Sequence, residues 1–244
     1  MTTLESLKAA TSLVGLAGVL QYPASVLAYI LYKGPSGGRY SNFNIPKRSG
    51  GTRQIHAPDD RLKPLQKRLV AILEECDAEI TNRRGSAEGF AHGFARGRSI
   101  ITNAWQHKNR RFVLNLDLED FFPSINFGRV RGFFLKNRDF ELDPKVATAI
   151  AQIACFQNSL PQGAPSSPII SNFVAHVLDV RLGKMAAAAK CTFTRYADDL
   201  TFSTNQKKFP AVLAREAPET LGVWALSDAL LNEIRRSGFT AHPG

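Results

Sequence analysis

Two adjacent carboxylates interrupt an alternating run. Residues 191–203, CTFTRYADDLTFS, read as a hairpin whose turn holds Asp198 and Asp199. Like charges a few Å apart raise each other's pKa or call for a cation. A bare Asp-Asp pair also makes an ordinary turn, since Asp is common in turns. Residues 112–118, FVLNLDL, alternate in the same way and read as a buried strand presenting Asp117 at its C-terminal end. If the two strands are neighbours, three carboxylates converge. Oxygen ligands of this kind select a hard cation such as Mg²⁺. Two such ions about 4 Å apart can activate a hydroxyl and stabilise a leaving phosphate.

The chain has 244 residues, enough for one large domain or two small ones, with 44% hydrophobic and 21% charged residues. That balance excludes a disordered or fibrous chain. Cys76, Cys155 and Cys191 are far apart, and no pair has zinc-site spacing, so reduced thiols in a cytosolic protein are expected. The net charge of +10 is uneven: residues 1–116 carry 17 basic and 8 acidic side chains, the remainder 14 and 13. A basic half joined to a neutral half suggests that one part grips phosphates and the other has a different task.

From Ala9 to Tyr32 there is no charged residue, a length that could span a bilayer. The reading preferred here is two short buried helices. Leu4, Leu7, Leu13, Leu16, Ala17 and Leu20 form one helical stripe, and Val26, Leu27, Ile30 and Leu31 a second. Gln21, Tyr22 and Pro23 separate them, and Pro suits the first turn of a new helix.

Residues 43–57 read as two strands around a Ser49-Gly50-Gly51-Thr52 turn flanked by Lys47, Arg48 and Arg53. Such a hairpin can close over a phosphate-bearing ligand, or it can be a plain solvated surface hairpin. A helix is expected over 61–80, with Leu62, Leu65, Leu69, Val70, Ile72 and Leu73 buried. Residues 81–99 read as loops and short turns. Further helices are expected over 100–107, 125–135 and 144–155, from Ser167-Pro168 onward, and over 221–237 ending at Gly238.

Four segments then resemble, in order, the boxes of reverse transcriptases. Ile45-Pro46-Lys47 with Gly51, Arg53, Ile55 and Pro58 resembles their fingertip motif. Asp117-Leu118-Glu119-Asp120-Phe121-Phe122-Pro123-Ser124-Ile125 resembles the first catalytic box, and Leu160 to Pro168, LPQGAPSSP, the box that follows. Tyr196-Ala197-Asp198-Asp199 resembles the YxDD box. The resemblance runs from about residue 40 to 240. It implies that Asp117 and Asp198 bind two Mg²⁺ ions, for which Mn²⁺ can substitute, with the Leu118 carbonyl completing one shell and Asp199 assisting from the edge. It implies that Phe122 blocks a ribose 2′-OH, with Phe121 the core ring, that Gln162 and Tyr196 sit at the incoming dNTP, and that Lys47 and Arg53 hold its triphosphate.

Asn103-Ala104-Trp105-Gln106-His107 resembles the NAxxH element of retron reverse transcriptases, as does the LPQGAP form of the middle box. Taken alone, His107 reads equally well as a helix-capping or core histidine. The resemblance implies a cytoplasmic RNA-directed DNA polymerase that primes from an internal 2′-OH of a structured non-coding RNA. Its product is branched RNA-linked DNA, used in anti-phage defence with an effector protein. A group II intron-like or abortive-infection enzyme, and a non-catalytic RNA-binding scaffold, are the alternative readings. The expected fold is α+β: a right-hand polymerase with an antiparallel palm sheet backed by helices, and fingers of helices and a hairpin. Its parts would be N-terminal helices and fingers (1–110), the first palm strand (111–127), a helical insertion (128–158) and the rest of the palm (159–244). The chain stops at Gly244, before the family's lysine-containing segment and helical thumb, so fingers and palm without a thumb are expected.

Overall fold

The computed structural model describes residues 1–33, 39–46, 50–85, 89–216 and 224–242. Lys47, and with it part of the expected basic turn, lies outside the described residues. The chain divides into two compact units. The first comprises Met1–Ala87 and Ile125–Val174, the second Glu88–Ser124 and Ala175–Gly244.

In the first unit, the apolar N-terminal run is cut into short helices by its own caps. Thr2 and Glu5 form a capping box at the start of α1 (Thr3–Ala9), and Ser12 caps α2 (Leu13–Val19). Pro23 serves as N-cap of α3 (Ala24–Ala28), one position earlier than expected, and α3 runs into a π-helical turn at Tyr29–Lys33. Leu7, Leu16, Leu20, Leu27 and Ile30 are buried, while Val26 is exposed. Among the described residues no single helix is long and apolar enough to cross a membrane; Leu13–Val19 and Ala24–Lys33 are bent by 119°.

The long helix α4 (Leu62–Arg84) buries Leu62, Leu65, Leu69, Leu73, Cys76 and Ile80 at helical spacing. It ends at Gly85, whose left-handed backbone caps it. Gln66 is the polar member of the buried stripe. Its amide nitrogen donates to the Tyr40 hydroxyl at 2.9 Å and to the Ile153 carbonyl at 2.8 Å. That one side chain ties α4 to the root of the hairpin β1 (Tyr40–Pro46) and β2 (Thr52–Pro58), and to α8 (Pro144–Ala154). The hairpin is antiparallel, from Tyr40 opposite Pro58 to Pro46 opposite Thr52. Tyr40 packs its ring 4.3 Å from that of Phe156, and burial pushes its hydroxyl up to about 12. A helix α7 (Phe127–Lys136) supplies Phe133 and Phe134 to a cluster with Phe140 and Phe173.

In the second unit, α5 (Ile100–Gln106) and the short α6 (Phe121–Ser124) flank β3 (Phe112–Asp117) in sequence. The helix α9 (Ser167–Ala188), whose second part belongs here, leads into β4 (Thr192–Tyr196) and β5 (Asp199–Thr204). The three strands form an antiparallel sheet of order β3-β5-β4. Alternation gives it two faces. Leu116, Phe193, Leu200 and Phe202 are buried on one; Val113, Asn115, Asp117, Tyr196, Asp199 and Thr201 share the other. Each fully buried Leu or Phe on the apolar face contributes about 1.5–3 kcal/mol.

Several expectations need correction. Residues 81–84, expected as loop, continue α4, and β3, expected as a buried strand, buries Leu116 but exposes Val113, Asn115 and Asp117. The helix expected over 221–237 is shorter: α10 spans Asp228–Arg236, and Trp224–Leu226 is a strand, β7, paired with β6 (Ala214–Glu216). The Ser227 side chain accepts from the Leu230 amide at 3.0 Å and sets the helix start there. The turn of the second hairpin is also displaced by one residue. It holds Ala197 and Asp198, and Asp199 is the first residue of β5.

Replacing Gln66 with Leu leaves the Tyr40 hydroxyl and the Ile153 carbonyl without their buried donor. A loss of about 1–3 kcal/mol is expected, read as a lower midpoint in thermal or urea unfolding.

Candidate active site

The register of the sheet decides which carboxylates meet. Asp117 at the end of β3 lies directly opposite Asp199 at the start of β5, and Tyr196 lies opposite Asp199 on its other side. Asp198 sits in the adjoining turn, where its carbonyl accepts from the Leu118 amide at 3.1 Å. A two-residue bridge locks the other edge: the His242 amide donates to the Asp117 carbonyl at 2.8 Å, and the Glu119 amide to the Thr240 carbonyl at 2.9 Å. This bridge engages the backbone on either side of Leu118 and does not use the Leu118 carbonyl.

Asp199 bears the electrostatic consequence. Its carboxyl is pushed up to about 7, first by partial desolvation, then by hydrogen bonding to Asp117 and by the charges of Asp117 and Asp198. The donor set is of the type that suits a hard cation, because these are carboxylate oxygens. Among the described residues, however, no group of three or more His, Cys, Asp or Glu side chains is arranged to hold a metal ion. The site is a carboxylate pair with a third carboxylate on the neighbouring turn, able to take up positive charge but not a closed cage.

Phe121 is buried and stacks on Phe239 with ring centroids 5.6 Å apart, as expected of a core ring. Phe122 is half-buried, with the ring of Phe94 6.0 Å away. Asn103 and His107 lie along α5 and at its end, against the carboxylate-bearing face. The His107 ring is buried between two hydroxyls, Ser203 Oγ and Thr194 Oγ1, each at 2.7 Å. Burial, with smaller contributions from the charges of Arg110 and His92, pushes its pKa down to about 4, so the ring is neutral at pH 7. His107 is therefore a hydrogen-bonded core histidine that also ends α5 as its C-cap. Asn103 and His107 help line a groove of about 400 Å³ that also takes in Tyr196 and Asp199.

Arg53 and Gln162 belong to the first unit. Arg53 is exposed on β2, opposite Ile45. The His56 amide of the same strand donates to the Gln162 carbonyl at 2.7 Å, so hairpin and loop are held together. Gly163 explains the next position of that loop. It has φ +108°, and a Cβ there would lie 2.7 Å from Ile55 Cγ2.

Two residues that the sequence reading passed over also shape the site. A Cβ at Gly93 would lie 2.4 Å from the Ala197 amide nitrogen, so the segment carrying Gly93 approaches the Asp-bearing turn as only glycine permits. Arg195 is fully buried on the apolar face. The signal for Arg195 was present in the sequence: a charge at a position where alternation calls for an apolar side chain. Gly93 gave no comparable signal within a glycine-rich stretch.

A reverse transcriptase (RNA-dependent DNA polymerase) family model matches residues 45–243. The retron Mx65 reverse transcriptase of Myxococcus xanthus is 41% identical over 202 residues, covering 74% of this chain and 45% of that protein. The retron Mx162 reverse transcriptase of the same organism is 35% identical over 219 residues, covering 84% and 43%. The retron Ec86 reverse transcriptase of Escherichia coli is 36% identical over 173 residues, covering 70% and 50%. The chain thus spans about half the length of these curated relatives.

A carboxyl with a raised folded pKa adds stability below its unfolded value, and that contribution is lost as pH rises through about 7. Asp199→Asn should therefore raise the melting temperature at pH 8 and have less effect at pH 4. Equal shifts at both pH values would contradict the raised pKa of Asp199. The carboxylates at the ends of β3 and β5, the boxes that carry them and the match across residues 45–243 agree: the chain belongs to the reverse transcriptase (RNA-dependent DNA polymerase) family.

Proposed function

We propose that this chain carries the catalytic portion of a retron-type RNA-directed DNA polymerase. The observation that carries the reading is the register pair Asp117–Asp199 with Asp198 on the adjoining turn. The likeness to retron enzymes favours the retron type over a group II intron-like enzyme, and the presence of all three carboxylates favours catalysis over a passive RNA scaffold. On this reading the chain is part of a right-hand polymerase, with residues 1–110 as N-terminal helices and fingers, 111–127 as the first palm strand, 128–158 as a helical insertion and 159–244 as the rest of the palm.

Asp117, Asp198 and the Leu118 carbonyl would hold two Mg²⁺ ions, or Mn²⁺ in their place, with Asp199 at the edge. When bound, such ions lower the pKa of the attacking primer hydroxyl and neutralise the leaving pyrophosphate. The chain's own residues do the rest. Phe122 presents a bulky ring against a ribose 2′-OH. The resemblance of their boxes gives Gln162 and Tyr196 a role toward the dNTP, and Lys47 and Arg53 one toward its triphosphate. His107, neutral and fixed by two hydroxyls, supports the sheet face beneath the site, with Asn103 beside it in the groove. The template and primer would be a structured non-coding RNA, and the product branched RNA-linked DNA acting in cytoplasmic anti-phage defence beside an effector protein.

Primer extension on an RNA template with dNTPs and Mg²⁺ tests the assignment. Asp198→Asn should reduce synthesis on the order of a hundredfold or more, while RNA binding survives. Synthesis retained in that variant would sink the proposal. Phe122→Ala should raise ribonucleotide incorporation by about tenfold or more, and unchanged sugar discrimination would refute the gate.

A further inference from the structure

Arg195 is the largest fully buried side chain among the described residues, on the apolar face of the sheet that carries the carboxylates. Its Nε and Nη2 donate to the two oxygens of Asp179 at 2.6 and 2.8 Å, a bidentate pair. Its Nη1 donates to the carbonyl of Ala197 at 2.9 Å. Its Cζ lies 5.7 Å from the ring centroid of Phe121, four residues after Asp117. The backbone is held as well: the Arg195 amide donates to the Phe90 carbonyl at 2.8 Å, and the His92 amide to the Arg195 carbonyl at 2.7 Å.

A buried ion pair is weak evidence for stability, since an apolar pair of similar volume often serves a core equally well. What an apolar pair cannot do is donate to Ala197. That carbonyl belongs to a two-residue turn, outside the hairpin ladder, and a buried carbonyl needs a donor. Ala197 itself has φ +57°, an uncommon conformation for a residue with a Cβ. Such a turn persists when its surroundings over-determine it. Gly93 crowds its amide side, and Arg195 holds its carbonyl.

We propose that Arg195 is a positioning residue of the carboxylate site: anchored by Asp179, it fixes the Ala197-Asp198 turn and so sets where Asp198 and Asp199 present their carboxylates. This rests on the polymerase reading for its meaning, but its geometry can be tested separately. Lysine at 195 keeps the charge and can pair with Asp179. It lacks the planar fork needed to hold Asp179 and Ala197 at once.

The experiment is residue-resolved amide exchange on the 244-residue chain. It compares the wild type, Arg195→Lys, and the volume-matched apolar double variant Asp179→Leu/Arg195→Met. The Leu118 amide, which donates to the Asp198 carbonyl, reports on the turn. The Leu114 and Phe202 amides, in the body of the sheet, serve as controls. In both variants Leu118 should exchange about tenfold faster or more, the loss expected for a hydrogen bond from a charged donor. The controls should move less than about twofold if the opening is local. An unchanged Leu118 rate overturns the proposal. So does a parallel rise at all three amides, which would assign the pair to core stability alone. Mn²⁺ titration by calorimetry supplies the second readout, with weaker binding expected in both variants. Unaltered Mn²⁺ affinity in the variants would also count against positioning. A wild type that takes up no Mn²⁺ but shows the local exchange effect would retain the positioning role and remove the polymerase reading.

Discussion

Asp117 and Asp199 repel each other across a register pair, and Asp198 adds a third negative charge from the turn. Their mutual hydrogen bond offsets the repulsion only while Asp199 holds a proton. The arrangement is imposed by the backbone ladder of β3, β4 and β5 and by the bridge from residues 240–242 to the end of β3. The apolar face of the sheet provides the stabilisation that offsets the repulsion. Leu116, Phe193, Leu200 and Phe202 bury on the side away from the charges, so sheet formation is favourable even though its other face is not. The raised pKa of Asp199 records partial desolvation first and the neighbouring carboxylates second.

The two units solve different problems with the same device. In each, a buried polar side chain joins elements distant in sequence. Gln66 does so in the first unit, linking α4 to the hairpin root and to α8. His107 does so in the second, spanning hydroxyls on β4 and β5 from the end of α5. Buried polar groups are costly unless paired, and the pairing is complete for the His107 ring but only for the amide nitrogen of Gln66, whose Oε1 is buried without a partner among the described residues.

Much of this was legible in the sequence where the pattern is local. Period-two alternation located β3 and the β4–β5 hairpin, and helical spacing located α4, α5, α7 and α8. The misjudgements arose where short signals compete. Residues 224–237 contain enough apolar spacing to suggest one helix, but the Ser227 cap divides strand from helix. Asp favours turns, so local pattern points to the two acidic residues as the hairpin turn. The register instead draws Asp199 into β5 and lets Ala197 take the left-handed position. His107 was ambiguous because nothing in five residues reveals two hydroxyl partners some ninety residues further along.

The sequence by itself determined the family, the three carboxylates and the strands that present them. These depend on residue type and near-neighbour spacing, which a linear chain displays. Tertiary structure alone decided which carboxylate faces which, that a buried guanidinium holds the carbonyl beside them, and that Gly93 lies against the turn. Register, burial and close backbone approach are relations between segments far apart in the chain, and no local pattern encodes the energy of a contact whose partner it does not contain.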